Sequence, residues 1–265
     1  LAALAQLARD CVDGPALGIG GPALRDGKLF NAYHILQGGH IAATILKHDL
    51  PNDSVFDEKR LFSAADIHGP IPIGPVRLGI PICEDAWHAD VCETLAETGA
   101  EILLVPNGSP YHRGKPDVRL NLMLNRVVET GLPLVYLNMI GGQDDQVFDG
   151  ASFALNPGGA LACQLPQFEA AVEHLDFVLT DDGWRAVPAR LALLPDAHEA
   201  DYHAMVLSLR DYCRKTGFGK VLLGLSGGVD SALVAAVAVA AVAAVADTRL
   251  HRLAPSVRQP LRILR

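Results

Sequence analysis

Apolar and polar positions alternate in short runs through the first part of the chain, a pattern that predicts strands joined by tight turns. Residues 31–37 and 40–46 flank a Gly-Gly turn and predict the two arms of a β-hairpin, which places Lys47 at the end of a strand. The apolar run over 76–83 stops at an acidic step. We therefore expect Cys83 to lie where a buried strand ends.

Helix and strand signals alternate in the next segment. Helical periods over 91–98 and 120–130 are each followed by a short apolar run, over 101–105 and 134–138. This succession is typical of an α/β fold, in which chemistry lies at strand ends. A further hairpin is predicted from 148–155 and the Asn-Pro-Gly-Gly turn after it, so the sheet is expected to be mixed.

The last third of the chain predicts a helix, a buried strand and a second helix. Residues 199–216 carry apolar side chains on a helical period, and 221–225 are mostly apolar. The Ala- and Val-rich run over 232–246 falls short of the roughly 20 residues of a membrane-spanning helix and predicts a buried helix. The predicted divisions are a first domain over 1–180, an irregular linker over 181–198, the start of a second domain over 199–246, and an atypical basic tail over 247–265.

Composition narrows the class of protein. Half of the 265 residues are hydrophobic and 20% are charged, which is typical of a folded globular protein. The net charge of -8 gives no basic surface for nucleic acid or an anionic membrane, so we expect small-molecule partners. Five cysteines, odd in number and without a CxxC pair, indicate a reducing cytoplasm and no metal site.

The segment from Ser226 to Ser231 reads Ser-Gly-Gly-Val-Asp-Ser and lies between the predicted strand and helix. Gly227 and Gly228 permit a close backbone approach to an anion, and the two serines and the free amides of the helix N-terminus can donate to it. The segment lacks the Gly-Lys-Ser/Thr of a Walker P-loop and resembles the loop of ATP pyrophosphatases, which implies an ATP site that includes Asp230. A capped turn without a ligand is the alternative.

Lys47, Glu58 and Cys83 are candidates for a second kind of chemistry. Cysteine attacks amides as the thiolate, and a nearby ammonium both lowers the pKa of the thiol and stabilises an oxyanion. Each residue taken alone has a plainer interpretation. Cys83 would then be an inert core thiol, and Lys47 a solvated turn residue.

The segments around these residues favour catalysis. Together they resemble the glutaminase domain of glutamine-dependent NAD synthetases, a nitrilase-superfamily (carbon-nitrogen hydrolase) domain with an α/β/β/α sandwich and a Glu, Lys, Cys active site. The resemblance implies a nitrilase-like sandwich that lacks its N-terminal portion. It also implies the first strand, loop and helix of an adenine nucleotide alpha hydrolase-like (Rossmann-like) domain. The segments that carry the resemblance are 47–52, 55–60, 82–87, 105–110, 141–145 and the Ser-Gly-Gly-Val-Asp-Ser loop.

The resemblance implies a role for each candidate residue. Cys83 would form a thioester with the substrate, Lys47 would be its electrostatic partner, and Glu58 would be a supporting carboxylate. Glu84 would contact the glutamine substrate, and Ser109 would lie in the loop that helps to hold it. Two alternatives stay open, because Glu58 belongs to a charge run that could be solvated and Asn-Gly-Ser-Pro is also a good turn.

The implied reaction is hydrolysis of glutamine through a cysteine thioester, with the ammonia passed to a second site. There ATP and magnesium would activate deamido-NAD for conversion to NAD, in a homo-oligomer of the intact protein. The alternatives are a stand-alone nitrilase-type amidase, another ATP pyrophosphatase such as a relative of GMP or asparagine synthetase, and a non-catalytic fragment.

Departures from the family pattern bear on activity. The acidic residues before Lys47 are Asp10, Asp13 and Asp26, and the sequence around each of them differs from the family's pattern around its general-base glutamate. We therefore expect that glutamate to lie upstream of this chain. Asp53-Ser54 stands where the family usually has Tyr-Gly, so an aromatic wall of the glutamine pocket is expected to be lost. With the unfamiliar sequence after residue 246, these departures predict a chain that is truncated at both ends and inactive alone.

Overall fold

The computed structural model describes residues 2–52 and 55–250. Asp53, Ser54 and residues 251–265 lie outside the described residues, so the expected loss of the aromatic pocket wall and most of the expected basic tail stay predictions. Among the described helices, none is both long enough and apolar enough to cross a lipid bilayer.

The N-terminal part forms a three-stranded antiparallel sheet. Its elements are α1 (Ala2–Asp10), β1 (Leu17–Arg25), β2 (Lys28–Gln37) and β3 (His40–Leu46). The strands lie in the order β1-β2-β3, and α1 packs against β3. Gly38 and Gly39 have positive φ angles in the turn between β2 and β3, a conformation that glycine adopts without steric cost. The predicted hairpin is confirmed.

A six-stranded mixed sheet forms the centre of the molecule. This part of the chain contains β4 (Ile71–Ile73), β5 (Val76–Gly79), α2 (Ala89–Glu97), β6 (Ile102–Asn107), α3 (Lys115–Thr130), β7 (Leu134–Asn138), β8 (Ile140–Gln143), β9 (Gln146–Asp149), β10 (Phe153–Leu155) and β11 (Leu161–Gln164). The spatial order is β11-β10-β7-β6-β5-β4, with β5, β6 and β7 parallel and the other pairs antiparallel. The predicted mixed sheet is confirmed, and β8 and β9 form a separate hairpin.

Apolar clusters on both faces of the central sheet define the layers. On one face, α2 and α3 bury a cluster that includes Val91, Leu103 and Met123. On the other face, Tyr33 and Ile45 of the three-stranded sheet meet residues of β4 and of the segment after β5. Removing this apolar surface from water is the main favourable contribution to such a core. With α1 on the three-stranded sheet, the predicted α/β/β/α sandwich is confirmed.

The C-terminal part differs from the prediction in two places. The stretch predicted as a linker contains β13 (Gly183–Ala186), which pairs with β12 (Phe177–Thr180). Residues 221–225, predicted as a buried strand, are irregular, and Leu222 is 96% exposed. A strand needs a neighbour to satisfy its backbone, and no described strand pairs with this run.

The helix α4 (Ala197–Thr216) is tied to the sandwich by polar contacts. The backbone N–H of Gly142, in β8, donates to Asp211 Oδ2 at 2.8 Å. The hydroxyl of Tyr111, in the loop after β6, donates to Asp201 at 2.9 Å. These contacts fix α4 against the β8–β9 hairpin.

The helix α5 (Val229–Leu250) packs against α4 on one face. Val237 and Ala241 are buried, whereas Leu233 and Val234 are about half exposed, so the helix predicted as buried is covered on one side only. A groove of about 550 Å³, lined mostly by apolar side chains, runs between α4 and α5. The groove is not lined by any of the predicted site residues.

Candidate active site

Lys47 and Glu58 form a buried ion pair. Lys47 directly follows β3, where its N–H still donates to the carbonyl oxygen of Asn31 at 2.9 Å, and Glu58 begins a 3-10 turn, Glu58–Arg60. The Lys47 Nζ lies 2.9 Å and 2.8 Å from the two carboxylate oxygens of Glu58. The Lys47 side chain is 1% exposed and that of Glu58 is 17% exposed. The fold therefore buries the ammonium of Lys47 and leaves the carboxylate of Glu58 partly exposed.

Cys83 begins a second 3-10 turn, Cys83–Ala86, four residues after β5 ends at Gly79. The strand ends earlier than predicted because Pro81 has no N–H with which to continue the ladder. Cys83 has a φ of 53°, in the left-handed region that costs a residue with a side chain about 1 kcal/mol. The backbone strain therefore falls on the residue that carries the candidate nucleophile.

Opposing effects act on the pKa of the Cys83 thiol. Burial raises this pKa and is the largest effect, whereas the charge of Lys47 and a hydrogen bond with the Gly108 backbone lower it. The charges of Glu84 and Glu58 raise it. The thiol pKa lies above its ordinary value as a result. The Lys47 charge acts in the direction that a thiolate nucleophile requires.

Asp85, which the sequence analysis did not single out, connects the segments of the two residues. Its Oδ1 accepts the backbone N–H groups of His48 at 3.1 Å and Asp49 at 2.7 Å, and its Oδ2 accepts that of Ile82 at 2.9 Å. Asp85 is 2% exposed. Burial raises the pKa of Asp85 to about 6, against the lowering effect of two of these hydrogen bonds and of the Lys47 charge.

A buried network holds the loop after β6. The guanidinium of Arg119 donates to Ser109 Oγ at 3.0 Å and to the Ser109 carbonyl oxygen at 2.8 Å. Arg119 also forms a two-point ion pair with Asp149, at 2.8 Å and 3.0 Å, and both side chains are almost fully buried. This network supports the loop whose Gly108 backbone contacts the Cys83 sulfur. Nothing in the sequence predicted that Arg119 and Asp149 would form a buried pair beneath this loop.

Glu84 and Ser109 differ in how the structure presents them. The Glu84 side chain is 25% exposed, next to Cys83, and its Oε1 lies 3.9 Å from His88 Nε2. The Ser109 residue is 3% exposed, with its hydroxyl already engaged by Arg119. Contact of either residue with a substrate stays a prediction.

The predicted ATP loop immediately precedes α5. Gly227 has a φ of 85°, and the Gly228 N–H donates to Ser226 Oγ at 3.4 Å. The hydroxyls of Ser226 and Ser231 lie 3.1 Å apart, and Asp230 is in the first turn of the helix. The loop is exposed, so the amides at the start of α5 can be reached by an anion.

Three side chains of the kinds that bind metal ions lie close together, and two of them directly follow Lys47 in the sequence. His48, Asp49 and Asp90 each place one ligand-type atom within 4.8 Å of the others. The spacing of these residues in the sequence does not indicate a cation site. Acidic side chains commonly cluster without an ion, and we assign no ion to this group.

Comparisons with known proteins agree with this arrangement. The carbon-nitrogen hydrolase family model matches residues 1–181, and the NAD synthase family model matches residues 201–258. The chain therefore belongs to the carbon-nitrogen hydrolase family.

Within that class, the chain is similar to glutamine-dependent NAD(+) synthetases. It is 59% identical to that of Rhodobacter capsulatus over 238 residues, which are 90% of this chain and 43% of the relative. It is 40% identical to that of Xanthomonas campestris pv. campestris over 227 residues, which are 83% of this chain and 40% of the relative. The chain thus spans less than half the length of the curated relatives it matches.

Solved structures also resemble this one, among them a synthetase and an amidase. The glutamine-dependent NAD+ synthetase from Acinetobacter baumannii, in complex with ADP, has a TM-score of 0.85 at 35% identity, over 91% of this chain and 45% of that chain. An amidase from Nesterenkonia sp. AN1 has a TM-score of 0.54 at 26% identity, over 62% of this chain and 63% of that chain. The predicted succession of a nitrilase-like fold and the start of an NAD synthase domain is confirmed.

Proposed function

We propose that the Cys83 site is the glutamine amidase centre of a glutamine-dependent NAD synthetase. The observation that carries the proposal is the Lys47–Glu58 ion pair, whose buried ammonium opposes the increase that burial causes in the pKa of the Cys83 thiol. The relatives support it, since they are glutamine-dependent NAD(+) synthetases. The similar amidase from Nesterenkonia, which is described with acrylamide added at its active-site cysteine, supports a cysteine nucleophile.

In the proposed reaction, the Cys83 sulfur attacks the amide carbon of glutamine, and the thiol proton passes to a general base, which returns it to the departing amide nitrogen. The Lys47 ammonium stabilises the negative charge that develops on the amide oxygen. The C–N bond breaks, ammonia leaves, and water then hydrolyses the thioester to glutamate and free thiol. Glu58 holds the ammonium in place, and Glu84 and Ser109 are proposed to border the glutamine.

The second half of the proposal concerns the loop from Ser226 to Ser231. We propose that it grips the phosphates of ATP, with magnesium, while the carboxylate of deamido-NAD is activated for attack by the ammonia. The NAD synthase match over 201–258 and the ADP complex of the Acinetobacter baumannii relative support nucleotide binding at this domain. The intact protein is proposed to act as a cytoplasmic homo-oligomer.

The amidase centre can be tested without turnover. A glutamine analogue with an electrophile at the amide carbon should label Cys83, and free glutamine should slow the labelling, as read by peptide mass spectrometry. The Cys83→Ala variant should lose the label. Cys92→Ala is the matched control, because burial raises the pKa of Cys92 to about 12 and its removal should leave labelling unchanged. Labelling that glutamine does not slow would contradict the proposal.

A further inference from the structure

The buried carboxylate of Asp85 accepts hydrogen bonds from two backbone segments, one next to the proposed nucleophile Cys83 and the other next to Lys47. One oxygen, Oδ1, accepts the N–H groups of His48 and Asp49, which directly follow Lys47. The other oxygen, Oδ2, accepts the N–H group of Ile82, which directly precedes Cys83. Asp85 therefore has hydrogen bonds to both segments.

This arrangement requires a carboxylate. Three N–H donors converge on two oxygens, and a side-chain amide would turn its NH2 group toward at least one of the donors. A donor facing a donor in a buried site costs free energy, since neither is hydrogen-bonded. Asparagine at position 85 would therefore break the connection on one side, whichever way the amide is oriented.

The carboxylate is present at a cost in stability. Burial raises the pKa of Asp85 to about 6, so its ionised form is disfavoured in the folded protein relative to water. A neutral side chain in this place would avoid that cost. A buried ionised group whose hydrogen bonds join two reactive segments is a candidate for a role in function.

We propose that Asp85 is a positioning residue, which fixes the distance between the Lys47 ammonium and the Cys83 sulfur by joining their two backbone segments. The proposal rests on the proposed amidase function. Asp85 is 2% exposed and both of its oxygens are occupied, so it acts through Lys47 and Cys83 and does not touch the substrate. The charged or titratable groups that interact with it include Lys47, Asp49 and Cys92.

The first test measures Cys83 alkylation by iodoacetamide against pH, with each cysteine resolved by mass spectrometry. Asp85→Asn should raise the apparent pKa of Cys83 by about one unit and slow alkylation about tenfold below that pKa, because the ammonium is displaced. The same substitution in a Lys47→Met background should have no further effect. Asp196→Asn, which removes a carboxylate that accepts the N–H groups of His198 and Glu199 at the start of α4, should leave Cys83 alkylation unchanged.

Equal effects of Asp85→Asn with and without Lys47 would overturn the proposal, because they would indicate a general loss of structure. No effect in either background would overturn it too. The second test needs no variant: amide resonances of His48, Asp49 and Ile82 should titrate together, with one midpoint near the pKa of Asp85. Independent titration of the two segments would contradict the connection, even where the Lys47→Met variant does not fold.

These results can be separated from a failure of the proposed function. Alkylation and amide titration use no glutamine, so they report on the connection alone. If Cys83 alkylation depends on Asp85 and Lys47 as stated but the glutamine analogue gives no glutamine-protected label, the positioning is upheld as geometry and the glutamine amidase assignment fails.

Discussion

The Nζ of Lys47 lies 2.8 Å from Oε2 of Glu58, and the Lys47 side chain is 1% exposed. Glu58→Ala would leave that ammonium buried without its carboxylate, so the free energy of unfolding should fall by about 3 kcal/mol. Asp57→Ala is the control, because the Asp57–Arg60 pair is mostly exposed and should contribute about 0 to 1 kcal/mol. Urea unfolding of both variants measures the difference, and equal losses would contradict the prediction.

The ion pair beneath the Ser109 loop should be more sensitive still. Arg119→Met would leave Asp149 without its partner at 0% exposure, which we expect to lower the free energy of unfolding by about 3 to 5 kcal/mol. Arg126→Met, on the same helix, is the matched control. Two buried nitrogens of Arg126 lack a hydrogen-bond partner among the described residues, and its partner Glu129 is partly exposed. Chemical unfolding should therefore show a small effect for Arg126→Met.

Stability should depend on pH through Asp85 in an unusual direction. Burial raises the folded-state pKa of Asp85 to about 6, above the ordinary value of 3.8. Protonation of Asp85 therefore stabilises the folded state fully below about pH 4, and this stabilisation is lost as the pH rises through 6. The stability of the wild type relative to Asp85→Asn should fall by about 2 to 3 kcal/mol from pH 4 to pH 7. Unfolding curves across this range test it.

A carboxylate with the opposite shift provides the control for that pH series. Hydrogen bonds from the backbone of Glu199 and His198 lower the pKa of Asp196, so its contribution is present above the ordinary pKa and is lost as the pH falls through the folded-state value. Asp196→Asn should therefore change stability with the opposite sign of slope. The same slope in both variants would contradict the assignment for Asp85.

The contact between the β8–β9 hairpin and α4 should not tolerate a methyl group. A Cβ at Gly142 would lie 3.1 Å from the Cα of Ser208 and 3.2 Å from the Cβ of Asp211. Gly142→Ala should therefore lower the free energy of unfolding by about 1 to 3 kcal/mol and speed amide hydrogen exchange in α4. Gly20→Ala is the control, since a Cβ there meets no described atom within 4 Å. Unchanged exchange in Gly142→Ala would contradict the prediction.

The purified 265-residue chain should form no NAD from glutamine, ATP and deamido-NAD. The predicted ATP loop is preceded by an unpaired, exposed segment over 221–225, so the sheet that would support a nucleotide site is not formed within the described residues. Chromatographic detection of NAD in such a mixture, above a Cys83→Ala control supplied with the same reagents, would overturn this expectation.

Local turn chemistry allowed the N-terminal hairpin, and with it the position of Lys47, to be predicted from the sequence. The pairing of Lys47 with Glu58 depends on the path of the chain between them, which spacing does not encode. Asp85, Arg119 and Asp149 are charged, and charged residues usually lie at the surface, so no local pattern marked them as buried.

The error over 221–225 has a different origin. A mostly apolar run predicts burial only where another element covers it, and no described strand lies beside this one. The helical period over 199–216 was correct, but period alone does not say which neighbour each face meets. The buried positions Ala200, Leu207 and Asp211 face the sandwich, Ala204 packs in the same cluster and also lines the groove beside α5, and Met205 lines the groove.

The attachment of α4 through Gly142 and Asp211 has a mechanical consequence. Because α4 is hydrogen-bonded to the hairpin at one point and to Tyr111 at another, it cannot rotate independently of the sandwich, and α5 is held to the sandwich through its packing against α4. In a longer protein that keeps these contacts, a force on the domain that begins with α4 would be transmitted to the β8–β9 hairpin, whose last residue is Asp149.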